Sequence, residues 1–531
     1  MALGYETLPG DVDHLVADDH AVVKRMFEHW QAGRGNRRAL ADQIGFNIAL
    51  HADAEERTFY PALREIGRDA DAEKLISEHQ QVKELLVVVE DGSPGEAAFE
   101  QAMGKIIAAI LKHATEEETT FLPALRQAVG AAKMAELGEK FIAAKRTAPT
   151  FTHPAGPSSK TGHVLLDAGV KMLDGLQEKA SGRIKRLGTD ASGLLDPQAQ
   201  RIADAHANLE PKPFEILTPD LARKQPTPVD AIHKILEADG KSTDPEPVGS
   251  VEDRMIPGPG GQLKVRIYQP QGEGPFPMLM WIHGGGWVLF DIDTYDASCR
   301  GLCNKAQVIV VSPDYRRAPE HVFPASHDDV LAAWRWMADN AAALGGDPSR
   351  LAIGGESVGG NMSAATCLQL KTQGERLPLA QVLVYPLTTG EQFGESMEDA
   401  ADARPVNRPL ISWMAMHAFK GIPEGAKDPR VHLLGVSKTE LAGLPPALVI
   451  VDERDPLRSQ GEEFARHLEA AGVETRVRRY DGVFHEFFGA AAVLDKAEEA
   501  QREAANLLRE VFGEEEDRDI RRPSEPAELP R

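Results

Sequence analysis

A serine lies between glycines at the point where an apolar strand gives way to a helix, and this feature most restricts the fold. The stretch runs Leu351-Ala352-Ile353-Gly354-Gly355-Glu356-Ser357-Val358-Gly359-Gly360, and a helix-compatible segment follows it. The pattern G-x-S-x-G is typical of a sharp turn that lifts a serine hydroxyl off the end of a strand. Glycines flank the serine because the tight turn leaves no room for side chains. Such a short pattern also arises by chance, so partners elsewhere in the chain decide its meaning.

Apolar strands alternate with helical segments on both sides of this elbow. The predicted strands cover residues 263–268, 278–282, 308–311, 351–353, 381–384 and 447–451, and helical patterns cover 328–343 and 462–471. Near-continuous apolar strands separated by helices indicate a mostly parallel sheet with helices on both faces. Residues of about 194–250 read as helices broken by prolines, which predicts an N-terminal helical cap.

Groups able to assist the serine follow other predicted strands. After the strand at 278–282 comes His283-Gly284-Gly285-Gly286, where consecutive glycines leave backbone N–H groups free to face a developing oxyanion. The candidate oxyanion donors are therefore Gly285 and Gly286, together with the N–H of Val358 just after the serine.

An acid and a base complete the order that this elbow requires, which is serine, acid, histidine. Asp455 follows the strand at 447–451, and His485 follows the strand pattern that ends at Tyr480. Asp452 and Asp481 are rival acids. Asp455 is favoured because Asp452 still belongs to the strand pattern and Asp481 is only four residues from His485.

Residues of roughly 194–513 resemble the hormone-sensitive-lipase-like branch of the α/β-hydrolases. The resemblance rests on His283-Gly284-Gly285-Gly286, Asp314-Tyr315-Arg316-Arg317-Ala318-Pro319-Glu320-His321, Gly355-x-Ser357-x-Gly359, Asp455-Pro456-Leu457 and His485-x-Phe487. It implies that Ser357 is the nucleophile, His485 the general base and Asp455 the orienting acid of an enzyme that hydrolyses short-to-medium acyl esters. Two departures are Glu356, where the family usually has aspartate, and Val358, where it usually has alanine.

The first 146 residues contain an internal repeat. Residues 51–64 (HADAEERTFYPALR) recur 62 positions later as residues 113–126 (HATEEETTFLPALR). A weaker pair precedes each copy, with Asp19-His20 before the first and Glu78-His79 before the second. Apolar residues recur at three- and four-residue intervals between these motifs, so residues 1–146 predict an all-α, up-and-down four-helix bundle.

The repeated histidines and glutamates have the spacing of metal ligands. His51 and Glu55 are four residues apart, as are His113 and Glu117, so each pair projects from one helix face. His20 and His79 occupy equivalent places on the other two helices. Four imidazoles and two carboxylates, without thiolates, suit iron or manganese better than structural zinc. Two carboxylates able to bridge indicate a dinuclear centre.

This part of the chain resembles the hemerythrin-like family across most of residues 11–146. The resemblance rests on Asp19-His20, His51-x-x-x-Glu55, Glu78-His79 and His113-x-x-x-Glu117. It implies a non-haem di-iron site with a bridging oxygen, used to bind dioxygen or nitric oxide, to handle iron or to sense.

The remaining segments connect and terminate these domains. Residues 147–193 predict a Pro-, Ser- and Thr-rich linker followed by an amphipathic helix with an apolar stripe from Leu165 to Leu187. We expect this helix to dock on a domain or to mediate self-association into a homodimer; a membrane-surface helix is the less favoured alternative. Residues 514–531 predict a disordered acidic tail.

Composition narrows the functional classes. A net charge of -23 opposes a nucleic-acid partner, and no apolar stretch reaches the length of a transmembrane segment. The first residues lack the pattern of a secretion signal, and three cysteines fit a reducing cytoplasm. Two hypotheses remain. The chain is a serine carboxylesterase that carries a di-iron module sensing oxygen, nitric oxide or iron; alternatively, it is a di-iron oxygen- or nitric-oxide-binding protein whose hydrolase domain is a scaffold.

Overall fold

The computed structural model describes residues 3, 5, 7–148 and 182–513. They fall into two compact units. The first comprises the described residues of Met1–Leu195 together with Gln200–Pro226 and Glu398–Met416, and the second comprises those of Asp196–Ala199, Thr227–Met397 and His417–Arg531. The predicted acidic tail and most of the predicted linker and amphipathic helix lie outside the described residues.

The N-terminal part of the first unit is entirely helical, which confirms the all-α prediction. Its helices are α1 (Val12–Gln31), α2 (Arg37–Arg57), α3 (Phe59–Glu65), α4 (Asp69–Asp91), α5 (Ala97–Glu116) and α6 (Leu122–Thr147), with a π-helical turn at Glu117–Phe121 between the last two. Helices α1 and α4 carry His20 and His79, α2 carries His51 and Glu55, and α5 carries His113, with Glu117 at the first residue of the π-helical turn.

Local sequence explains where these helices begin and which faces they bury. Helix α2 begins after Asn36, whose side chain accepts a hydrogen bond from the Ala39 N–H and caps the helix. Helix α1 buries Met26, Phe27 and Trp30, which recur at helical spacing and join one hydrophobic core with apolar residues of α2, α4 and α5. Burial of such a stripe is the main source of stability for a helix in a bundle.

The first unit also contains residues that the sequence analysis places with the hydrolase. They are 200–226, from the predicted cap, and 398–416. The indole N–H of Trp413 donates to the carbonyl of Leu217 over 3.1 Å, which joins these two stretches inside the unit. The predicted cap of 194–250 is thus divided between the two units, since residues 200–226 belong to the unit that contains the bundle. The domain limits placed after residues 146, 193 and 513 by the sequence analysis stay a prediction.

The remaining helices complete the list in chain order. They are α7 (Arg183–Gly188), α8 (Pro197–Ala207), α9 (Pro219–Ala222), α10 (Pro228–Ala238), α11 (Asp296–Ala306), α12 (Ala325–Asn340), α13 (Val358–Thr372), α14 (Ser396–Asp399), α15 (Arg408–Ala418), α16 (Lys438–Leu441), α17 (Arg458–Ala470) and α18 (Asp495–Val511). No helix among the described residues is long and apolar enough to span a bilayer.

An eight-stranded, mostly parallel sheet forms the second unit, as the alternation of strands and helices predicts. The strands are β1 (Ser250–Gly258), β2 (Gly261–Gln269), β3 (Phe276–Ile282), β4 (Ile309–Asp314), β5 (Gly346–Glu356), β6 (Gln381–Val384), β7 (Ala447–Arg454) and β8 (Thr475–Phe484). Their order is β1-β2-β4-β3-β5-β6-β7-β8. In this order, β1 pairs with β2 and β2 pairs with β4 in antiparallel orientation. All later neighbours, from β4 and β3 to β7 and β8, are parallel.

The central strands are buried on both faces, which explains their unbroken apolar sequences. Strand β1 was not predicted, because most of its residues are exposed and it lies at the edge of the sheet. The parallel strands β5, β7 and β8 end at the same edge, and they lead to Ser357, Asp455 and His485 respectively.

Candidate metal centre and candidate active site

The structure brings all six predicted metal ligands together inside the first unit. Ligand atoms of His20, His51, Glu55 and Glu117 all lie within 4.8 Å of one another. The same is true of ligand atoms of Glu55, His79 and His113. All six residues are buried.

Each of the two glutamates lies between two histidines. The Glu55 carboxylate is 3.3 Å from Nε2 of His51 and 3.4 Å from Nε2 of His79. The Glu117 carboxylate is 3.4 Å from Nε2 of His20 and 3.3 Å from Nε2 of His113. Because the two oxygens of one carboxylate face different histidines, either glutamate could bridge two metal ions.

A second layer of carboxylates orients the histidines. Each Nδ1 lies 2.9–3.1 Å from a carboxylate oxygen, in the pairs His20–Glu118, His51–Asp19, His79–Glu56 and His113–Glu78. This contact turns Nε2 of every ring toward the centre, which is the arrangement that orients metal-binding imidazoles. Sequence analysis quoted these acids within the motifs but gave them no role. The sequence feature that marks these four acids is that each is adjacent in the chain to a histidine or a glutamate of the centre.

A lysine contacts every one of these outer carboxylates. The ammonium–carboxylate distances are 2.7 Å for Lys24–Glu118, 2.7 Å for Lys83–Glu56, 2.7 Å for Lys145–Asp19 and 3.2 Å for Lys112–Glu78. The lysines and the histidines hold the pKa values of Asp19, Glu56, Glu78 and Glu118 at about 2, against the opposing effect of burial. All four outer carboxylates are therefore ionised over the neutral range.

Tyr60 is a residue of the centre that sequence analysis missed. Its hydroxyl oxygen lies 3.1 Å from a Glu55 oxygen and 3.0 Å from a Glu117 oxygen, so its one proton can be donated to either carboxylate, and it lies within 3.2 Å of Nε2 of both His79 and His113. Burial, together with the two glutamates, raises the pKa of Tyr60 well above its usual value. The residue occurs in the first copy of the repeat only, since Leu122 is its counterpart.

Unsatisfied polar atoms at the middle of the cluster fit a cation. Nε2 of His51, Oε1 of Glu55 and Oε2 of Glu117 are buried, and no described residue hydrogen-bonds to them. Buried polar atoms are rarely left without a partner, so this arrangement favours an ion at that position. Burial alone would lower the pKa of His51, but Glu55 and Asp19 raise it to about 10.

In the second unit, Ser357 occupies the strained turn that its sequence pattern predicts. It joins β5 to α13 with φ of 58° and ψ of -120°, a conformation that non-glycine residues rarely adopt. Its N–H donates to the carbonyl of Val384 over 2.8 Å. A β-carbon added to Gly355 or to Gly359 would lie 2.5 Å or 2.0 Å from the Ile282 carbonyl oxygen. The flanking glycines are therefore required by close approach to β3.

Asp455 and His485 form a buried pair beside this elbow. Nδ1 of His485 lies 3.0 Å from Oδ2 of Asp455, and Oδ1 of Asp455 accepts the Leu457 N–H over 2.8 Å. The Tyr385 ring packs against the imidazole with centroids 4.4 Å apart. Burial would lower the pKa of His485, but the carboxylates of Asp455 and Glu486 raise it.

The two rival acids make no such contact. The Asp452 carboxylate is buried without a hydrogen-bond partner among the described residues, and burial beside Asp455 raises its pKa well above the usual value. Asp481 is exposed and accepts a hydrogen bond from Arg479. These positions favour Asp455, which the sequence analysis also preferred.

The glycine run lies against the elbow. Gly285 and Gly286 have φ of 98° and 60°, where side chains are strained. A β-carbon on Gly284 would lie 3.2 Å from the Ser357 β-carbon and 2.4 Å from the Tyr295 hydroxyl oxygen. The loop is held from behind, because the Tyr315 hydroxyl donates to the carbonyls of His283 and Gly284 over 3.1 Å and 3.0 Å.

Glu356 extends beneath the elbow, so its extra methylene is accommodated in the interior. Its carboxylate accepts the Trp281 indole N–H over 3.0 Å and the Tyr385 hydroxyl over 2.5 Å. Burial, with a contribution from Glu486, raises the pKa of Glu356 to about 7.

Comparison with characterised proteins identifies both domains. Residues 279–489 match the model of an alpha/beta hydrolase fold family, and residues 11–125 match that of the hemerythrin HHE cation-binding domain. The chain is 39% identical to the carboxylic ester hydrolase LipN of Mycobacterium tuberculosis over 45% of its own length and 64% of the length of LipN. It is 34% identical to an ethyl acetate hydrolase of Pseudomonas putida over 54% of its length and 88% of that enzyme.

Solved structures of esterases also resemble this chain. An esterase from Pyrobaculum calidifontis superposes with a TM-score of 0.52 at 33% identity, covering 56% of this chain and 94% of the esterase. An α/β-hydrolase enzyme from the metagenome of Lake Arreo superposes with a TM-score of 0.54 at 36% identity, covering 60% of this chain and 99% of that enzyme. The chain therefore belongs to the α/β-hydrolase family of carboxylic ester hydrolases and carries a hemerythrin HHE cation-binding domain at its N-terminal end.

Proposed function

We propose that Ser357, His485 and Asp455 form the catalytic triad of a serine carboxylesterase. The observation that carries this proposal is the buried Asp455–His485 contact of 3.0 Å, formed at the sheet edge where the strained Ser357 turn also lies. Asp455 is itself held by the Leu457 N–H, so it can fix both the orientation and the tautomer of the imidazole.

The reaction is a two-step acyl transfer. Nε2 of His485 takes the proton of the Ser357 hydroxyl as the serine oxygen attacks the ester carbonyl, and the same proton is then given to the departing alcohol. Water repeats the sequence on the acyl-enzyme, with His485 again the base. Asp455 keeps its negative charge throughout and stabilises the imidazolium.

The N–H groups of Gly285, Gly286 and Val358 hold the oxyanion in this mechanism. The position of the glycine run against Ser357 supports this role, as does the place of Val358 at the first residue of α13. We infer that the substrates are small esters with short-to-medium acyl chains, which the ethyl acetate hydrolase among the relatives supports.

Hydrolysis of p-nitrophenyl acetate and butyrate by the full chain tests this proposal. We expect turnover that falls by about 10⁴-fold or more in Ser357→Ala. Ser363→Ala is the matched control, since Ser363 lies in the same helix and its hydroxyl donates to the Gly359 carbonyl. Absence of turnover on a panel of acyl chains, or equal rates in Ser357→Ala, would reject the triad.

For the bundle, we infer a di-iron centre held by His20, His51, Glu55, His79, His113 and Glu117. The two glutamates that each face two histidines support a dinuclear site, and the outer carboxylates support imidazole ligation. When bound, iron would supply coordination positions for dioxygen or nitric oxide. The chain's own contribution is to orient four imidazoles and to keep Tyr60 within hydrogen-bonding distance of the carboxylates of Glu55 and Glu117.

A second candidate function is gas binding or sensing by the bundle, with the hydrolase as a scaffold. The unsatisfied ligand atoms of His51, Glu55 and Glu117 favour it. Esterase assays on metal-free and iron-loaded protein, with and without dioxygen and nitric oxide, separate the candidates. Ester turnover that requires Ser357 in every state supports the enzyme, whereas gas binding without any ester turnover supports the scaffold.

A further inference from the structure

The residue after the proposed base adopts a strained backbone conformation. Glu486 has φ of 75°, in the left-handed region that favours glycine. Its side chain is nevertheless only 9% exposed. A non-glycine residue in this region persists where surrounding contacts over-determine it, and such outliers cluster at functional sites.

The Glu486 carboxylate faces the reactive nitrogen of His485. Its Oε1 lies 3.9 Å from Nε2, on the side of the ring opposite the Asp455 contact at Nδ1. The same oxygen accepts the Tyr295 hydroxyl over 2.7 Å. Tyr295 in turn fits beside Gly284, where a β-carbon would lie 2.4 Å from its hydroxyl oxygen. The oxyanion loop and the tyrosine therefore hold the carboxylate in place.

We propose that Glu486 is a positioning residue of the hydrolase, a second carboxylate that stabilises the imidazolium formed on His485. When Nε2 takes the Ser357 proton, the ring becomes positive, and Asp455 and Glu486 then face it from two sides. Glu486 receives no proton in this step, because Nε2 passes the proton to the departing alcohol. This inference rests on the proposed roles of Ser357 and His485.

Other ionisable groups surround the pair of Glu486 and His485. They are Asp452 and Asp455 at the end of β7, Glu356 at the end of β5, Tyr295 before α11, Tyr315 after β4 and Tyr385 after β6. Burial raises the pKa of Glu486, whereas His485 and the Tyr295 hydroxyl oppose that effect. A carboxylate beside an imidazole favours the protonated ring, so Glu486 keeps His485 protonated to higher pH.

The pH dependence of kcat/KM for p-nitrophenyl acetate tests the proposal in Glu486→Gln, which keeps the size and the backbone strain but removes the charge. We expect the acidic limb to move to lower pH by about one unit and the plateau to fall about tenfold. Asp481→Asn, an exposed acid five residues away, should leave the acidic limb unchanged.

Glu486→Gly removes the backbone strain as well as the charge, so comparing it with Glu486→Gln separates the two effects. It also provides a test if Glu486→Gln does not fold. Glycine accepts the positive φ, so this variant should melt at a higher temperature than Glu486→Gln and show the same shift of the acidic limb. An unchanged limb in either folded variant would overturn the role of Glu486, and the Ser357-dependent turnover would still stand. Turnover that does not require Ser357 would instead reject the proposed function itself.

Discussion

Asp18 and Arg408 are 390 residues apart in the sequence, yet Nε of Arg408 lies 2.7 Å from Oδ1 of Asp18 inside the first unit. The Asp18 carboxylate also accepts the Ser412 hydroxyl over 2.5 Å, and both members of the ion pair are buried. The next residue along α1, Asp19, contacts Nδ1 of the candidate metal ligand His51. One turn of α1 thus anchors residues 398–416 and orients the candidate metal centre.

Removing one partner of this ion pair should destabilise the first unit much more than removing both partners. Arg408→Ala removes the guanidinium from the buried Asp18 carboxylate, so we expect a loss of about 3–5 kcal/mol in the stability of the first unit. The double variant Asp18→Leu/Arg408→Leu removes both charges of the pair and should lose clearly less stability. Thermal unfolding followed by circular dichroism measures both. Equal losses in the single and double variants would contradict this account.

The metal ligands can be tested without any enzyme assay. Full-length protein loaded with iron should hold about two ions per chain and absorb in the near ultraviolet. His51→Ala/His113→Ala removes one histidine from each ligand group and should lose both the iron and the absorption. His233→Ala, at an exposed position of α10, is the control that should keep both. Iron retained by the double variant would refute the ligand set.

The buried Glu356 predicts a pH-dependent stability. Burial raises its pKa from 4.5 to about 7, so the folded state holds a proton that the unfolded chain has released. The stabilisation of the folded state by this bound proton is therefore fully present below pH 4.5, and it is lost as the pH rises through about 7. Glu356→Gln resembles the protonated form and should exceed the wild type in stability by about 2–3 kcal/mol at pH 8, with little difference at pH 4.5. Denaturant unfolding at both pH values measures the difference; a gap that does not change with pH would contradict the prediction.

Two glycine substitutions should have opposite effects on stability. A β-carbon at Gly359 would lie 2.0 Å from the Ile282 carbonyl oxygen, so Gly359→Ala should cost about 3 kcal/mol or more and abolish ester turnover. Gly104 lies in α5 with open space around it, so Gly104→Ala should stabilise the bundle by about 0.5–1 kcal/mol. Denaturant unfolding compares the two variants. Similar destabilisation by both would mean that backbone contact is not the cause.

Spacing and strand order were enough to predict which part of the fold each candidate residue occupies, because helices and parallel strands have fixed repeats. The separation of His51 from Glu55 places both on one helix face, and the order of β5, β7 and β8 brings Ser357, Asp455 and His485 to one sheet edge. The central strands were equally predictable, since burial on both faces demands continuous apolar sequence.

Contacts that depend on packing between distant segments were not predictable. Nothing in residues 398–416 indicates that Arg408 pairs with Asp18, because a buried ion pair has no local sequence signal. Tyr60 has the apolar character of a core residue, and only the folded bundle places its hydroxyl among four ligands. Glu486 follows the candidate base directly, yet its positive φ is a property of the fold.

The π-helical turn at Glu117–Phe121 gives the two copies of the repeat different main chains. In both copies two consecutive glutamates face inward, one toward the centre and one toward Nδ1 of a histidine from another helix. The first copy achieves this at the end of α2, which stops at Arg57, and the second achieves it by widening the helix for one turn. The two copies thus present their glutamates in the same way on main chains that differ. Shortening the second copy by one residue would restore a regular helix and rotate Glu118 away from His20.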